Sequence, residues 1–177
     1  YIGRYDYYNK GLDRLITLFS SNIGCDISLL TYGPKDSYGS DAYRFTNESK
    51  SIKNIIVENA IFGVEKNKII ADADYLILPS RSEGFPTVVL ESLSLSTPCI
   101  VSKECNIPID FNNNGVHIID FEDTKLVANF FRDICNNPGQ KYDDSSFAVE
   151  LFNKNLSSIV LIPTYEKFFS DFWTSSN

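Results

Sequence analysis

The 177-residue sequence contains no methionine, one histidine, one tryptophan and four cysteines. These scarcities exclude several chemistries. No Ser-His-Asp set, zinc-ligand spacing, phosphate-binding P-loop or GxGxxG turn occurs, so hydrolase, metalloenzyme, NTPase and dehydrogenase readings have no residues to rest on. Cys25, Cys99, Cys105 and Cys135 show no CxxC spacing and lie mostly in apolar runs, which predicts reduced core residues in the cytosol rather than a disulfide framework. Basic residues are outnumbered, 16 Lys and Arg against 23 Asp and Glu, for a net charge of -7. Such a chain does not suit nucleic acid or an anionic lipid surface as its main partner, and any phosphate it binds must be held by a local cluster of cations. No secretory signal or apolar run long enough for a bilayer is present, so a soluble, cytoplasmic chain is expected. The lack of methionine, together with the start at Tyr1, points to a fragment of a longer protein. Against these absences stand 43% hydrophobic and 14% aromatic residues, ample for one domain over residues 1–177 that folds alone.

Strand and helix patterns alternate along the chain. Tyr1 to Gly3 reads as the end of a strand, and Gly11, Leu12, Leu15, Ile16 and Phe19 recur at helical spacing as far as about Ser21. Asp26 to Tyr32 reads as a strand, closed by Gly33-Pro34, whereas the polar stretch from Lys35 to Ser49 predicts a loop or an irregular helix. Strands follow at Asn54 to Val57, Tyr75 to Pro79, Cys99 to Val101 and Gly115 to Ile119, separated by helices over Glu65 to Ala71 and Pro86 to Leu95. Leu126, Val127, Phe130, Phe131 and Ile134 mark a surface helix, and Ser145 to Trp173 reads as helical with a break at Pro163. This order predicts an α/β, doubly wound, Rossmann-like parallel sheet with its site at the carboxyl ends of the strands.

One such end carries most of the chemistry. After the strand ending at Pro79, Glu83-Gly84-Phe85-Pro86-Thr87-Val88 leads into a helix, and Glu91 follows Glu83 by eight positions. Gly84 permits a tight turn, Pro86 suits the first helical turn, and the N–H groups of Thr87 and Val88 are left to attract an anion. A macrodipole effect accounts for one acid at a helix start, but not for two in this context. Two acids beside an anion-binding helix start suit a ligand that is phosphate and polyol together, such as a sugar nucleotide. Arg4 and Lys10, six positions apart around the first strand end, can reach the same crevice and hold a diphosphate through charge-assisted bonds.

The segment Ala73 to Glu91 resembles the E(x)7E signature of the family 4 glycosyltransferases, retaining enzymes of the GT-B fold. Gly3-Arg4 with Lys10-Gly11 resembles that family's GR...KG segment, and Phe62-Gly63 and Asn114-Gly115 resemble its weaker landmarks, in the expected order. The resemblance implies the C-terminal, donor-binding half of a GT-B enzyme, with an acceptor-binding domain before Tyr1. It implies that Glu91 holds the ribose, Glu83 a hydroxyl of the transferred sugar, and Gly84, Phe85, Pro86, Thr87 and Val88 the sugar and diphosphate. Gly3, Arg4 and Lys10 then lie at the diphosphate, with Arg4, Lys10 and Glu83 the catalytic set, and Gly63 and Val64 near the base. It implies no metal or other cofactor, and a nucleoside-diphosphate sugar as partner, a UDP-sugar before a GDP-sugar. Membrane contact is expected only through the acceptor domain. Two departures stand out: Pro86 occupies a place often held by glycine, and Ile109-Asp110 follows the Asn106-Ile107-Pro108 turn where an acidic residue is usual.

Asp72-Ala73-Asp74 has the form of a metal-binding pair, but it precedes its strand and is expected at the wrong end of the sheet. His117 lies in an apolar strand pattern and reads as structural. Tyr165, Phe168, Phe169, Phe172 and Trp173 form an aromatic stripe, expected to be core or, in part, an interface to the other domain. The expected function is donor binding in glycosyl transfer, in bacterial surface polysaccharide or glycolipid synthesis, with the isolated fragment inactive. The alternative is a non-catalytic sugar-nucleotide-binding or regulatory module.

Overall fold

The computed structural model describes residues 1–175 apart from Asn22, Gly24, Cys25 and 36–39, and side chains as far as Lys167. Among the described residues five strands, β1 (Leu29–Tyr32), β2 (Ile55–Glu58), β3 (Leu76–Leu78), β4 (Cys99–Ser102) and β5 (Val116–Ile119), pair only in parallel. They form a β1-β2 sheet and a β3-β4-β5 sheet, and Ile2 adds a parallel bridge to Tyr32. The described residues also form seven α-helices, four that alternate with β1 to β4, α1 (Leu12–Ser20), α2 (Asp41–Ser49), α3 (Gly63–Asp72) and α4 (Thr87–Ser94), and three that follow β5, α5 (Thr124–Asn136), α6 (Gln140–Leu151) and α7 (Ser158–Ser175). α1 packs on α2 and α5, whereas α3 and α6 pack on α4, giving the two layers of a doubly wound fold. Among the described residues no helix is long and apolar enough to cross a membrane.

The pattern and the packing agree most closely where periodicity is strong. Leu12, Leu15 and Leu18 form the buried face of α1, and every residue of β3 and β4 is buried, as expected of strands covered on both faces. Cys99 and Cys105 are buried free thiols, whereas Cys135 is only half-buried and Cys25 lies outside the described residues.

Three expectations need correction. The polar stretch before Ser49 is a regular helix over Asp41–Ser49, because Ser40 caps it by accepting from the Tyr43 N–H at 3.2 Å and Phe45 is wholly buried. The Phe45 ring lies 5.1 Å from that of Tyr5, so a single aromatic anchor outweighs the polar composition. The first β-strand begins at Leu29 and not at Asp26, since its pairing to β2 starts with Leu29 opposite Ile55. The C-terminal helical tail breaks before Pro163: a π-turn over Phe152–Leu156 ends with the Ser157 N–H donating to Phe152 O at 2.9 Å, and Ser157 is extended. Pro163 instead lies inside α7, where it withholds one helical bond near the exposed Ile159. Tyr165 is exposed, and the stripe from Phe168 onward lies outside the described side chains.

His117 is structural. Its Nε2 lies 2.9 Å from Asp144 Oδ2, to which the Tyr75 hydroxyl donates at 2.7 Å, so a triad with a buried His117 and Asp144 and a half-buried Tyr75 ties α6 to the sheet. Gly115 makes this contact possible, because a Cβ there would stand 2.4 Å from Ala148 Cα.

Candidate functional site

The candidate site gathers at the carboxyl ends of the strands. Gly11 begins α1 in the left-handed region, φ 68°, with its α-carbon so close to Pro79 that a Cβ would stand 2.0 Å from the Pro79 carbonyl oxygen. That approach brings the turn before α1 against the turn after β3. Arg81 locks the two together: its guanidinium forms a bidentate pair with Asp13 at 2.7 and 2.8 Å and lies 4.0 Å above the Tyr8 ring. The Arg81 N–H also donates to Asn9 O at 2.8 Å.

As a result Lys10 and Glu83, 73 positions apart, meet at 2.6 Å in a pair that is largely shielded from water. Asn106, in the left-handed conformation at φ 51°, donates from Nδ2 to the Glu83 carbonyl and so holds the Glu83 turn from the other side. Glu91, in the second turn of α4, is paired with Lys66 of α3 at 2.7 Å. Each acid of the sequence signature is therefore held by a lysine.

Arg4 is exposed beside a hollow of about 430 Å³ shared with Asp6, Pro34 and Asp41. Its carbonyl accepts the Tyr1 hydroxyl at 2.6 Å. Burial pushes the Tyr1 phenol well above its ordinary pKa, with Glu83 adding to the rise and Arg4 opposing it, so Arg4 and Glu83 both act on that ring. At Gly3 a Cβ would stand 2.8 Å from the Tyr1 hydroxyl, so a larger residue there requires that side chain to shift. Gly63, at φ 57°, and Gly84 face open space, and Val64 is exposed beside Phe62. Phe85 is partly exposed, while Pro86 is buried and serves as the N-cap, so α4 starts at Thr87, one residue later than expected. No side chain caps α4, which leaves the first N–H groups, those of Thr87 and Val88, available to a ligand.

Beneath these residues Arg14 is buried. It donates to Pro79 O at 2.7 Å and to Glu122 Oε1 at 2.5 Å, and it also pairs with Glu104 at 3.3 Å. The Glu83 N–H donates weakly to Glu104 O at 3.4 Å, so this ion cluster underpins the acidic turn. Asp72 ends α3 and Asp74 pairs with Lys141 of α6, both ahead of β3 and away from Glu83.

Sequence reasoning missed Lys66, Asn106 and Arg14. For Lys66 a signal existed, because it stands in the first turn of the helix that opens at Gly63, on the turn that borders Glu91. Arg14 sits within an apolar helix face, where an arginine reads as an interruption and not as a partner. The Lys66–Glu91 pair is partly exposed, so Lys66→Ala is expected to change stability by no more than about 1 kcal/mol in urea denaturation.

Residues 1–146 match the family model described as Glycosyl transferases group 1, and the chain belongs to that family. No curated protein is similar to it by sequence. Among solved structures it resembles sucrose-phosphate synthase from Thermosynechococcus elongatus, with 17% identity, a TM-score of 0.82, and coverage of 99% of this chain and 45% of that one. Anabaena HepE in complex with UDP gives 12% identity and a TM-score of 0.77, covering 96% of this chain and 47% of that one. S. aureus TarM in complex with UDP and alpha-GlcNAc-glycerol gives 18% and 0.78, covering 96% and 34%. The chain thus spans less than half the length of these neighbours, and its fold is one Rossmann-like half of a GT-B glycosyltransferase.

Proposed function

We propose that this chain is the donor-binding, C-terminal domain of a retaining glycosyltransferase that moves a sugar from a nucleoside-diphosphate sugar to a glycan or lipid-linked acceptor. The observation that carries it is the pairing of Glu83 with Lys10 and Glu91 with Lys66 at the strand ends. Such a site offers acceptors for ribose and sugar hydroxyls beside cations for a diphosphate. UDP is the favoured nucleotide, GDP next, since the HepE and TarM neighbours both hold UDP.

In this reading the open surface at Gly63 and Val64 receives the base, Glu91 the ribose, and Glu83 a hydroxyl of the transferred sugar. The N–H groups at the start of α4 lie toward the sugar and diphosphate. Bond cleavage develops negative charge on the leaving diphosphate while the sugar becomes oxocarbenium-like, and Arg4 and Lys10, fixed at those oxygens, lower the barrier. These cations supply the countercharge, so no metal is required and chelation leaves transfer intact. An acceptor-binding domain preceding Tyr1 completes the enzyme, which acts in the cytoplasm on bacterial surface polysaccharide or glycolipid and meets the membrane only through that domain.

Titration calorimetry with UDP-, GDP-, ADP- and TDP-sugars tests this. Residues 1–177 are expected to bind one class at about 0.1 to 1 mM, or about 4 to 5.5 kcal/mol, because an open half-site leaves the ligand partly solvated. They are expected to transfer nothing, since the groups that position an acceptor and exclude water lie outside this domain. Glu91→Gln is expected to weaken free diphosphate and nucleotide sugar alike, whereas Glu83→Gln weakens only the nucleotide sugar. Equal losses on free UDP or GDP in both variants reject the orientation, and sustained transfer by this chain alone rejects the assignment to half a site. A regulatory or binding module is the outcome if a preceding acceptor domain restores no transfer.

A further inference from the structure

The two turns that bring Lys10 to Glu83 also bring Arg81 beneath the ring of Tyr8. Tyr8 stands between the buried Tyr7 and the Lys10 turn, yet it is 63% exposed. The Arg81 guanidinium lies 4.0 Å from the centre of its ring, and the Arg81 side chain is only 17% exposed. One face of the ring is therefore covered, and the exposure falls on the other. A single exposed tyrosine is ordinary on a protein surface, but this one is clamped. Its carbonyl accepts the Gly11 N–H at 3.0 Å and Arg81 Nη1 at 2.7 Å, and Asp13 holds the same guanidinium by two bonds at 2.7 and 2.8 Å.

Two ordered polar side chains flank the ring. Asn9 donates from its backbone N–H to Asp6 Oδ1 at 3.1 Å and from Nδ2 to Asp6 Oδ2 at 3.0 Å, so both planar groups are fixed at the surface before a ligand arrives. The Asn9 Oδ1 and the remaining lone pairs of the Asp6 carboxylate are left as acceptors for hydroxyl groups. The Lys10 N–H donates to Asp6 O at 3.1 Å, which closes Asp6, Tyr8, Asn9 and Lys10 into one turn. A flat apolar ring beside fixed acceptors matches a pyranose, which has an apolar face of C–H groups and an edge of hydroxyls. The clamp matters because a surface already held in place binds without a large ordering cost. The Asp6 carboxylate disfavours a phosphate at this spot.

We propose that Tyr8, with Asp6 and Asn9, forms a saccharide subsite that takes one pyranose ring of a glycan acceptor, held beside the Lys10–Glu83 pair. The assignment to an acceptor rests on the donor-site reading of that pair, and it narrows the acceptor to one that carries a sugar ring next to its reacting end. Tyr8 lies two residues before Lys10, and Arg81 two residues before Glu83, so the platform and the donor pair are built from the same two turns. The subsite grips the ring by its apolar face, while the groups that aim the reacting hydroxyl remain outside this domain.

Residues 1–177, Tyr8→Phe and Tyr8→Ala are each titrated, without nucleotide, with methyl glucoside, methyl N-acetylglucosaminide and maltose. Saturation-transfer NMR follows the sugar, with thermal melts and UDP calorimetry run alongside. The parent and Tyr8→Phe are expected to bind a pyranoside and to move its C–H protons upfield through the ring current, whereas Tyr8→Ala weakens binding by about five- to ten-fold, the range of one aromatic contact. The upfield shift is read on the parent, so the result does not depend on how Tyr8→Ala folds. A chain that binds no nucleotide rejects the donor reading, while loss of saccharide in Tyr8→Ala still supports the platform. No pyranoside shift in the parent, equal binding by the parent and Tyr8→Ala, a loss in Tyr8→Phe as large as in Tyr8→Ala, or a response of the Tyr8 ring to UDP alone overturns it.

Discussion

Replacing Lys10 by alanine is expected to weaken nucleoside diphosphate binding by about ten- to 150-fold, the equivalent of about 1.5 to 3 kcal/mol for a hydrogen bond to a charged group. The magnitude follows from how the side chain is held. Lys10 ends the turn that Gly11 and Arg81 fix against Pro79, and its ammonium stands 2.6 Å from Glu83 in a mostly shielded pair. A cation placed this way is delivered to the ligand without a large ordering cost, which an exposed lysine would incur. Arg4→Ala falls at the lower end of the same range, because Arg4 is exposed. Calorimetry with UDP and GDP measures both, with thermal melts run alongside to separate lost binding from lost fold. Wild-type affinity in both variants rejects the diphosphate assignment.

Gly11→Ala is expected to destabilise the fold by more than any other single-methyl change in the site. The left-handed conformation costs an alanine about 1 to 2 kcal/mol, and the added Cβ, 2.0 Å from the Pro79 carbonyl oxygen, forces a backbone shift worth about 1 to 3 kcal/mol more. The shift also moves Lys10 away from Glu83, so nucleotide binding falls together with stability. Gly84→Ala is the matched control. Nothing lies within 4 Å of its added Cβ, and its stability is expected to stay within about 0.5 kcal/mol of the parent. Urea denaturation distinguishes the two, and coincident transitions for Gly11→Ala and the parent contradict the packing argument.

The class of fold was legible in the sequence, because it rests on local pattern, and the same pattern sets the candidate residues at the strand ends. Short apolar runs alternating with 3.6-residue periodicity dictate parallel strands crossed by helices, and such a sheet binds at its strand ends whatever its ligand. Glu83, Glu91, Arg4 and Lys10 all flank those ends in the sequence, and Gly11 and Gly115 stand where the chain needs a glycine's freedom or its lack of a side chain. What tertiary structure alone decided is who meets whom. That Lys10 pairs with Glu83, Lys66 with Glu91, Arg81 with Asp13, and a buried Arg14 with Glu104 and Glu122 depends on contacts between segments 25 to 108 positions apart. No local spacing specifies them. The same holds for the α2 helix, which a buried Phe45 stabilises despite polar neighbours, and for Pro163, which lies exposed inside α7 while the chain turns at Ser157. Propensity acts within a few residues, whereas burial is settled by whichever distant surface arrives to cover a side chain.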